Sequence, residues 1–302
     1  MIERSLGVDE QLLTNLLHEP WRFYRRRSIP KSDGDHRRLL IPKGELKGIQ
    51  RGILQVDLAK LPKHDCDHCR AGRSVLTNAR THLRHRYVSA YDIEHCFPSV
   101  TPRMVEAALR RAGFSTERAH LITALTTHKR QLPQGAPTSP ALVSAVLYSM
   151  DERLAQWAMR HGLTYTRYAD DVFVSGNKPL GAFRMELLRA TAALGLRLAH
   201  DKTRHWTPQR RAELAGVVLA AKPTIRAEYV DSVGRLIHRL EHRRVLVSPP
   251  DIESLWGKIG WIEALRPVAG RKLRERLRRA LKSPCAVGPT LSMELANQSG
   301  AA

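Results

Sequence analysis

The central part of the chain alternates short apolar runs with segments whose apolar residues recur at helical spacing. The pattern predicts strands at Tyr87–Ile93, Leu163–Tyr168 and Val172–Gly176, the last two joined by a turn at 169–171. After Ser139-Pro140, a pair typical of a helix start, apolar residues step by four and three positions and therefore share one face of a long helix. Strands interleaved with helices predict an α+β fold, with helices packed on one face of an antiparallel sheet.

A second helical pattern lies near the C-terminus. In Arg266–Lys282 leucines recur every four residues, at Leu273, Leu277 and Leu281, and the segment carries eight Lys or Arg residues and one acid. This predicts an amphipathic helix with a cationic outer face, which either binds a polyanion or is simply solvated. Residues 284–302 lack periodicity and are predicted to form a loose tail.

Composition narrows the class of protein. The 302 residues include 50 Lys+Arg and 29 Asp+Glu, a formal net charge of +21, and 42% are hydrophobic, too many for a disordered polybasic tail. A surplus of this size favours a polyphosphate partner such as nucleic acid. Four cysteines favour a reducing, cytoplasmic location. Because no apolar run approaches about 18 residues, we expect no membrane span and no membrane partner.

Three acids stand where the predicted strands end. Asp92 closes the first strand, and Asp170 and Asp171 lie in the turn between the other two. Turn acids are usually turn formers and nothing more, but a carboxylate at the end of a buried strand is unfavourable without a partner. If the strands are neighbours, the acids converge, and two divalent cations, Mg²⁺ or Mn²⁺, would relieve their repulsion. Two such ions are suited to in-line displacement at phosphorus.

A loop with the sequence Q-G-A-P-T-S-P, Gln134–Pro140, comes just before the long helix. One reading is a plain helix entry, but the loop also places flexible backbone and a Gln side chain at a helix N-terminus, which suits a nucleotide or a template strand. Taken in order, D-I-x-x-x-F, Q-G-A-P-x-S-P and Y-A-D-D resemble the motifs of reverse transcriptases. The resemblance implies RNA-directed DNA polymerase activity, a nucleotidyl transfer that uses two metal ions.

The resemblance also implies individual roles. Asp92, Asp170 and Asp171 would be the catalytic and metal-binding aspartates, with Ile93 beside Asp92 at the metals. Phe97 would exclude the 2′-hydroxyl of a ribonucleotide. The residues expected to contact the incoming dNTP are Arg37, Ile93, Phe97, Gln134, Gly135, Tyr168 and Ala169.

Three further matches flank the central motifs. Arg37 resembles a fingers arginine, whose planar fork can hold phosphate oxygens bidentately. Lys202, in G-L-R-L-A-H-D-K-T, resembles a catalytic lysine that lies near the triphosphate and protonates pyrophosphate. Gly216, in L-A-G-V, resembles the hairpin that grips the primer.

Two motifs resemble those of bacterial retron enzymes: E-L-K-G-I-Q at 45–50, and N-A-x-x-H, here Asn78 to His82. Retron enzymes typically carry V-T-G where this chain has Leu214-Ala215-Gly216. Only the glycine is kept, so membership of a sister lineage stays open. The residues expected to contact nucleic acid are Asn78, His82, Gly216, Arg271, Lys272 and Arg278.

The resemblance implies a right-hand polymerase, with N-terminal helices and fingers in 1–85, the palm in 86–220 and a helical thumb in 221–283. It further implies a structured non-coding RNA that serves as both template and primer, an RNA–DNA hybrid, a branched RNA–DNA product (msDNA), and anti-phage defence with a separately encoded effector. The alternatives are a stand-alone or group II intron-derived reverse transcriptase with a different primer, and a non-catalytic scaffold that binds RNA.

The segment His64–Cys69 departs from the family pattern. Cys66 and Cys69 form a C-x-x-C pair, half of a zinc site, which His64 or Cys96 would complete. No second C-x-x-C exists in the sequence. The interpretation we favour is an ordinary polar loop without zinc.

Overall fold

The computed structural model describes residues 9–30, 36–242 and 248–282. The chain divides into two compact units, Met1–Ala212 and Glu213–Ala302. A hairpin at 213–219, which the sequence grouped with the palm, is therefore part of the C-terminal unit. The predicted tail at 284–302 lies outside the described residues. Within the described ranges, no helix has the length and apolar character needed to cross a bilayer.

The N-terminal unit contains a two-stranded hairpin and helices that surround a larger sheet. The hairpin pairs β1 (Tyr24–Pro30) with β2 (His36–Pro42) in antiparallel fashion. Serine or threonine caps start several helices; Thr101, for example, accepts a hydrogen bond from Met104 N–H and stands before a proline at the first helical position. The helices are α1 (Glu10–His18), α2 (Gly44–Val56), α3 (Val75–Thr81), α4 (Cys96–Ser99), α5 (Pro102–Arg111), α6 (Thr116–Thr126), α7 (Ser139–Arg160) and α8 (Gly181–Ala193).

The larger sheet has four antiparallel strands in the order β4–β5–β3–β6. Its strands are β3 (Tyr87–Ile93), β4 (Thr164–Tyr168), β5 (Asp171–Gly176) and β6 (Leu198–Trp206). The three predicted strands and the long helix α7 are confirmed. Strand β6 escaped the pattern because most of its residues after Ala199 are polar and exposed.

Helices α7 and α8 pack on one face of this sheet. The fully buried Phe183 of α8 has its ring centroid 5.8 Å from Tyr165, 6.4 Å from Tyr91 and 5.9 Å from Trp157 of α7. Alternation along a strand then directs the neighbours of these tyrosines to the other face. The sequence predicted helices on one face only, whereas in the structure α3 also covers part of the second face.

The described part of the C-terminal unit consists of a small sheet followed by three helices. The sheet consists of β7 (Glu213–Leu214), β8 (Val217–Leu219) and β9 (Pro223–Thr224). The helices are α9 (Ala227–Glu241), α10 (Pro249–Leu265) and α11 (Pro267–Lys282), which confirms the predicted amphipathic helix. Their buried residues, among them Ile237, Ile259 and Leu277, form a core of their own.

The β7–β8 hairpin explains the glycine of the L-A-G sequence. Leu214 pairs with Val217, and the two turn residues Ala215 and Gly216 have φ values of 47° and 83°. A two-residue hairpin loop with positive φ at both positions is the geometry that matches the twist of antiparallel strands. Gly216 therefore has a structural reason to be present, whatever it contacts.

Gly270 is a packing requirement of the C-terminal unit. A Cβ atom at this position of α11 would overlap the backbone of Glu263 in α10. We predict that Gly270→Ala lowers the free energy of unfolding of this unit by about 1–3 kcal/mol, because the two helices would have to separate. Chemical denaturation followed by circular dichroism measures the change.

Gly257 is the matched control, since it lies exposed within α10 and an added Cβ there would meet nothing within 4 Å. Gly257→Ala should leave stability unchanged or raise it by up to about 1 kcal/mol, because alanine is the better helix former. Equal destabilisation by both substitutions would contradict the proposed close approach at Gly270.

Candidate active site

The three acidic residues meet at one edge of the four-stranded sheet. Strands β3 and β5 pair so that Asp92 stands directly opposite Asp171. Asp170 belongs to the turn between β4 and β5, and its carbonyl oxygen accepts a hydrogen bond of 3.1 Å from the N–H of Ile93. The convergence predicted from the ends of the strands is therefore present in the structure.

The electrostatics of this cluster fit a divalent-cation site. Burial, together with the charges of Asp170 and Asp92, raises the pKa of Asp171 to about 7. Burial and the Asp92 charge also raise the pKa of Asp170. Carboxylate oxygens are the ligands that Mg²⁺ prefers, and a cation bound among these three acids would offset the repulsion between their charges. The donor set thus suits Mg²⁺ or Mn²⁺ held by Asp92, Asp170 and Asp171.

Ile93 can take part at this site only through its main chain. Its side chain is completely buried in the core. A metal or substrate contact, as expected for Ile93, would therefore have to come from its backbone. A contact between the backbone of Ile93 and the metal or the substrate therefore stays a prediction.

Lys202 lies against the acidic cluster. From β6 its Nζ donates to Asp92 Oδ1 at 3.2 Å. Partial burial lowers the pKa of Lys202, but the hydrogen bond to Asp92 and the charges of Asp92 and Asp170 outweigh that effect and raise it. The ammonium therefore stays protonated at neutral pH, as a group that donates a proton to a phosphate must be.

A cavity of about 460 Å³ opens beside Asp170. Five of the residues expected at the dNTP line this cavity: Arg37 of β2, Phe97, Gln134, Gly135 and Ala169. The other two residues of that set, Ile93 and Tyr168, do not line it, although Tyr168 directly precedes Ala169.

The Q-G-A-P loop is fastened to the β1–β2 hairpin. Leu40 N–H donates to Gln134 O at 2.8 Å, and Ser139 Oγ donates to Pro133 O at 2.7 Å. Gly135 has φ 114°, and an added Cβ would lie 3.4 Å from Leu40 O. Its positive φ is the reason for glycine here, since the added Cβ would make only an ordinary contact, and Gly135 lines the cavity at this point.

Two cations in the cavity were not singled out from the sequence. Lys47 and Arg51 of α2 also line it, on the same side of the helix, because they are four residues apart. That spacing was the available signal, since the buried residues of α2 (Leu46, Ile49, Gln50 and Ile53) lie on another side of the helix. With Arg37 they make the lining of the cavity beside Asp170 strongly cationic.

The prediction that Asn78 and His82 contact nucleic acid is wrong for this structure. Their exposed fractions are 0% and 1%. His82 Nδ1 lies 2.7 Å from Ser175 Oγ and its Nε2 lies 2.7 Å from Thr166 Oγ1, while Thr166 also donates to Asn78 Oδ1. Burial lowers the pKa of His82 to about 3, so the ring is neutral. The N-A-x-x-H motif therefore packs α3 onto the sheet.

The segment His64–Cys69 has a backbone role. Arg167 N–H donates to Cys66 O and His68 N–H donates to Arg167 O, both at 2.8 Å, so the segment adds a short parallel bridge to the free edge of β4. Burial raises the pKa of the Cys66 and Cys69 thiols, which disfavours the thiolates that zinc requires.

The cations expected on the C-terminal helix are exposed. Arg271, Lys272 and Arg278 of α11 face solvent, and among the described residues they form no ion pair. Other arginines of α11 are engaged: Arg274 with Glu263 at 2.6 Å and Arg276 with Glu241 at 2.7 Å. Helix α11 therefore carries two kinds of cation: exposed ones without an ion pair, and ones that join it to other helices of the unit.

The sheet and the helices around it have the fold of the right-hand class, and two solved structures share that fold. A telomerase from Candida albicans, in complex with a TWJ fragment of telomeric RNA, matches with a TM-score of 0.53 at 11% identity, covering 85% of this chain and 55% of that one. An apo telomerase from Candida tropicalis matches with a TM-score of 0.51 at 12% identity, covering 85% and 58%.

A family model described as reverse transcriptase (RNA-dependent DNA polymerase) matches residues 29–219, and this chain belongs to that family. It is 33% identical to the retron Mx162 reverse transcriptase of Myxococcus xanthus, with 83% of this chain and 59% of that protein covered. It is 31% identical to the retron Mx65 enzyme of M. xanthus (91% and 70% covered) and 30% identical to the retron Ec86 enzyme of Escherichia coli (90% and 86%). The chain thus spans little more than half the length of the first of these relatives.

The newly located cations should affect substrate affinity. We predict that Lys47→Gln together with Arg51→Gln raises the KM for dNTP by roughly three- to thirtyfold, because two cations that face the triphosphate are removed. Steady-state primer extension on an RNA template measures it. Arg111→Gln, which removes an exposed cation that does not line the cavity, should leave KM within about twofold. An unchanged KM in the double variant would remove α2 from the substrate site.

Proposed function

We propose that the protein is an RNA-directed DNA polymerase that copies a cognate structured non-coding RNA into single-stranded DNA. The observation that carries the proposal is the meeting of Asp92, Asp170 and Asp171 beside a cavity that Arg37, Lys47 and Arg51 line together with Asp170. Acids that bind divalent cations, with cations that bind triphosphate next to them, are the two parts that nucleotidyl transfer requires. Membership of the reverse transcriptase family supports the same conclusion.

The residues of the chain divide the chemistry among them. Mg²⁺ bound by the three aspartates would activate the primer hydroxyl and offset the charge of the leaving pyrophosphate. Arg37, with Lys47 and Arg51, orients and neutralises the triphosphate. Phe97 closes the side of the cavity where a 2′-hydroxyl would lie, and this selects dNTPs. Lys202 donates a proton to the departing pyrophosphate.

The retron relatives support the finer part of the proposal. In it, one structured RNA serves as both template and primer, synthesis starts from an internal RNA 2′-hydroxyl, and the product is branched RNA–DNA (msDNA). The protein then acts in anti-phage defence, in the cytoplasm, with a separately encoded effector. Arg271, Lys272 and Arg278 hold the backbone of the RNA or of the RNA–DNA hybrid, because the deep, narrow major groove of A-form duplexes discourages base reading.

The metal-site assignment predicts loss of activity without loss of fold. Asp170→Asn combined with Asp171→Asn should reduce primer extension at least roughly a thousandfold, because neutral amides hold Mg²⁺ poorly. The melting temperature should be kept or raised, since burying two repelling carboxylates is unfavourable. Asp231→Asn, an exposed acid of α9, is the control. DNA synthesis that persists in the double variant would refute the assignment.

The identity of the template and primer can be read directly. Sequencing the nucleic acid that co-purifies with the protein should give one branched RNA–DNA species. A heterogeneous collection of linear cDNAs would instead indicate a stand-alone or intron-derived enzyme with another primer. Recovery of RNA without any DNA, together with inactivity in primer extension, would indicate a scaffold.

The exposed cations of α11 should appear in the salt dependence of RNA binding. Each phosphate contact contributes about 0.7–0.9 to the slope of log K against log salt concentration. We predict that Arg278→Gln lowers the magnitude of the slope by roughly that amount, whereas Arg279→Gln lowers it less, because Arg279 is paired with Glu275 at 3.3 Å. Fluorescence anisotropy over a salt series measures both. Equal slopes in the two variants and in the unmodified protein would mean that this face does not bind RNA.

A further inference from the structure

Arg167 is the largest fully buried side chain among the described residues, and it directly precedes the Tyr168–Asp171 turn. Its Nε and Nη2 donate to the two carboxylate oxygens of Asp151 at 3.0 and 2.7 Å, and Nη2 also lies 3.1 Å from Asp67 Oδ2. Asp151 and Asp67 are themselves almost completely buried. An arginine with no exposed surface is thus held by two acids from different parts of the chain, α7 and the His64–Cys69 segment.

The remaining end of the guanidinium reaches the turn itself. Arg167 Nη1 donates to the carbonyl oxygen of Ala169 at 2.8 Å. Ala169 has φ 55°, the left-handed region that is unfavourable for a residue with a Cβ atom. Such a conformation persists only where surrounding contacts impose it. The hydrogen bond from Arg167 is a contact of that kind, and Asp170 is the next residue along the chain.

The His64–Cys69 segment holds the arginine at the edge of the sheet. Its backbone pairs with that of Arg167 through the Cys66 and His68 hydrogen bonds already described. Within the segment, Asp67 Oδ1 accepts a hydrogen bond from Cys69 N–H at 2.9 Å. Asp67 therefore reaches the guanidinium from a loop whose backbone is already fixed. A loop with no evident part in catalysis is built onto the strand that carries the catalytic turn.

The charge balance of the cluster makes it intolerant of a weaker cation. Burial lowers the pKa of Arg167, but the charges and hydrogen bonds of Asp151 and Asp67 outweigh burial and raise it, so the guanidinium stays charged. Tyr165 also donates to Asp151 Oδ1 at 2.7 Å. Lysine would retain the charge but not the planar fork, which here serves two carboxylates and a carbonyl at once.

We propose that Arg167, held by Asp151 and Asp67, is a positioning residue that fixes the strained turn at Ala169 and thereby sets where Asp170 and Asp171 hold their metal ions. The proposal rests on the proposed function of those two aspartates. Arg167 itself touches neither substrate nor metal in this arrangement. Its contribution is the placement of the carboxylates, and placement errors of about 1 Å can reduce a rate by two orders of magnitude.

Arg167→Lys is the test. If Arg167 is merely structural, the substitution should lower stability and activity together; if Arg167 positions the turn, it should change kcat and the Mg²⁺ dependence specifically. If Arg167 positions the turn, we expect kcat to fall at least about tenfold and the Mg²⁺ concentration at half-maximal activity to rise at least about threefold, with KM for dNTP within about twofold. The dNTP cavity is bounded mainly by other residues, which is why KM should be spared.

Arg118→Lys is the matched control. Arg118 makes a comparable two-point contact with the buried Asp57, at 3.0 and 2.6 Å, between α2 and α6. Both variants should lose a few degrees of melting temperature, roughly as expected for a weakened buried ion pair. Arg118→Lys should keep kcat and the Mg²⁺ dependence within about twofold. If the two variants lose activity in parallel with stability, Arg167 is only structural and the proposal fails.

Asp67→Asn keeps the test decisive if Arg167→Lys folds poorly. The substitution preserves shape and the backbone bridge but removes the charge that the His64–Cys69 segment supplies. We expect a smaller change in the same direction, with kcat lowered about three- to tenfold and the Mg²⁺ dependence shifted upward. An unshifted Mg²⁺ curve in a folded Asp67→Asn variant would overturn the proposal. The proposed function fails separately, if Asp170→Asn with Asp171→Asn remains active.

Discussion

The register between β3 and β5 is the constraint on which the candidate active site depends. Asp92 and Asp171 are directly opposed, and the turn that carries Asp170 closes against Ile93 N–H. Because side chains alternate between faces, a slip of one residue would send Asp171 to the face packed by α7 and α8. The aromatic contacts of Phe183 with Tyr91 and Tyr165 hold that face in place, so the packing of one face fixes the chemistry of the other.

Although the net charge of the chain is +21, the charges at the candidate active site are of both signs. Burial, together with repulsion from Asp170 and Asp92, raises the pKa of Asp171 to about 7. Arg37, Lys47 and Arg51 line the cavity beside Asp170, and Lys202 contacts Asp92 directly. In the proposed function, divalent cations bound by the acids would complete the charge balance when a triphosphate enters.

Sequence reasoning predicted most of the sheet and the three aspartates, because both depend on local patterns. Apolar runs mark buried strands, and an acid at the end of such a run is conspicuous. It mistook Asn78 and His82 for nucleic-acid contacts because a motif does not say whether its polar groups face solvent or one another. Lys47 and Arg51 were missed because a helix face shows its neighbours only after folding. Asp151 carried a detectable signal, an acid inside an apolar helix face, but its partner Arg167 is identifiable only in three dimensions.

The β4–β5 hairpin is held on two sides by residues 64–82, which the sequence assigned to the fingers. His82 reaches its face at Thr166 and Ser175, and Asp67 reaches its edge at Arg167. Both sets of contacts are buried and polar, so a buried polar group that lost its partner in either of them would be unfavourable. Residues 64–82 are therefore tied to the turn that carries Asp170 and Asp171. The connection runs through Arg167, which contacts Asp67 at one end and donates to the carbonyl oxygen of Ala169, the residue before Asp170, at the other.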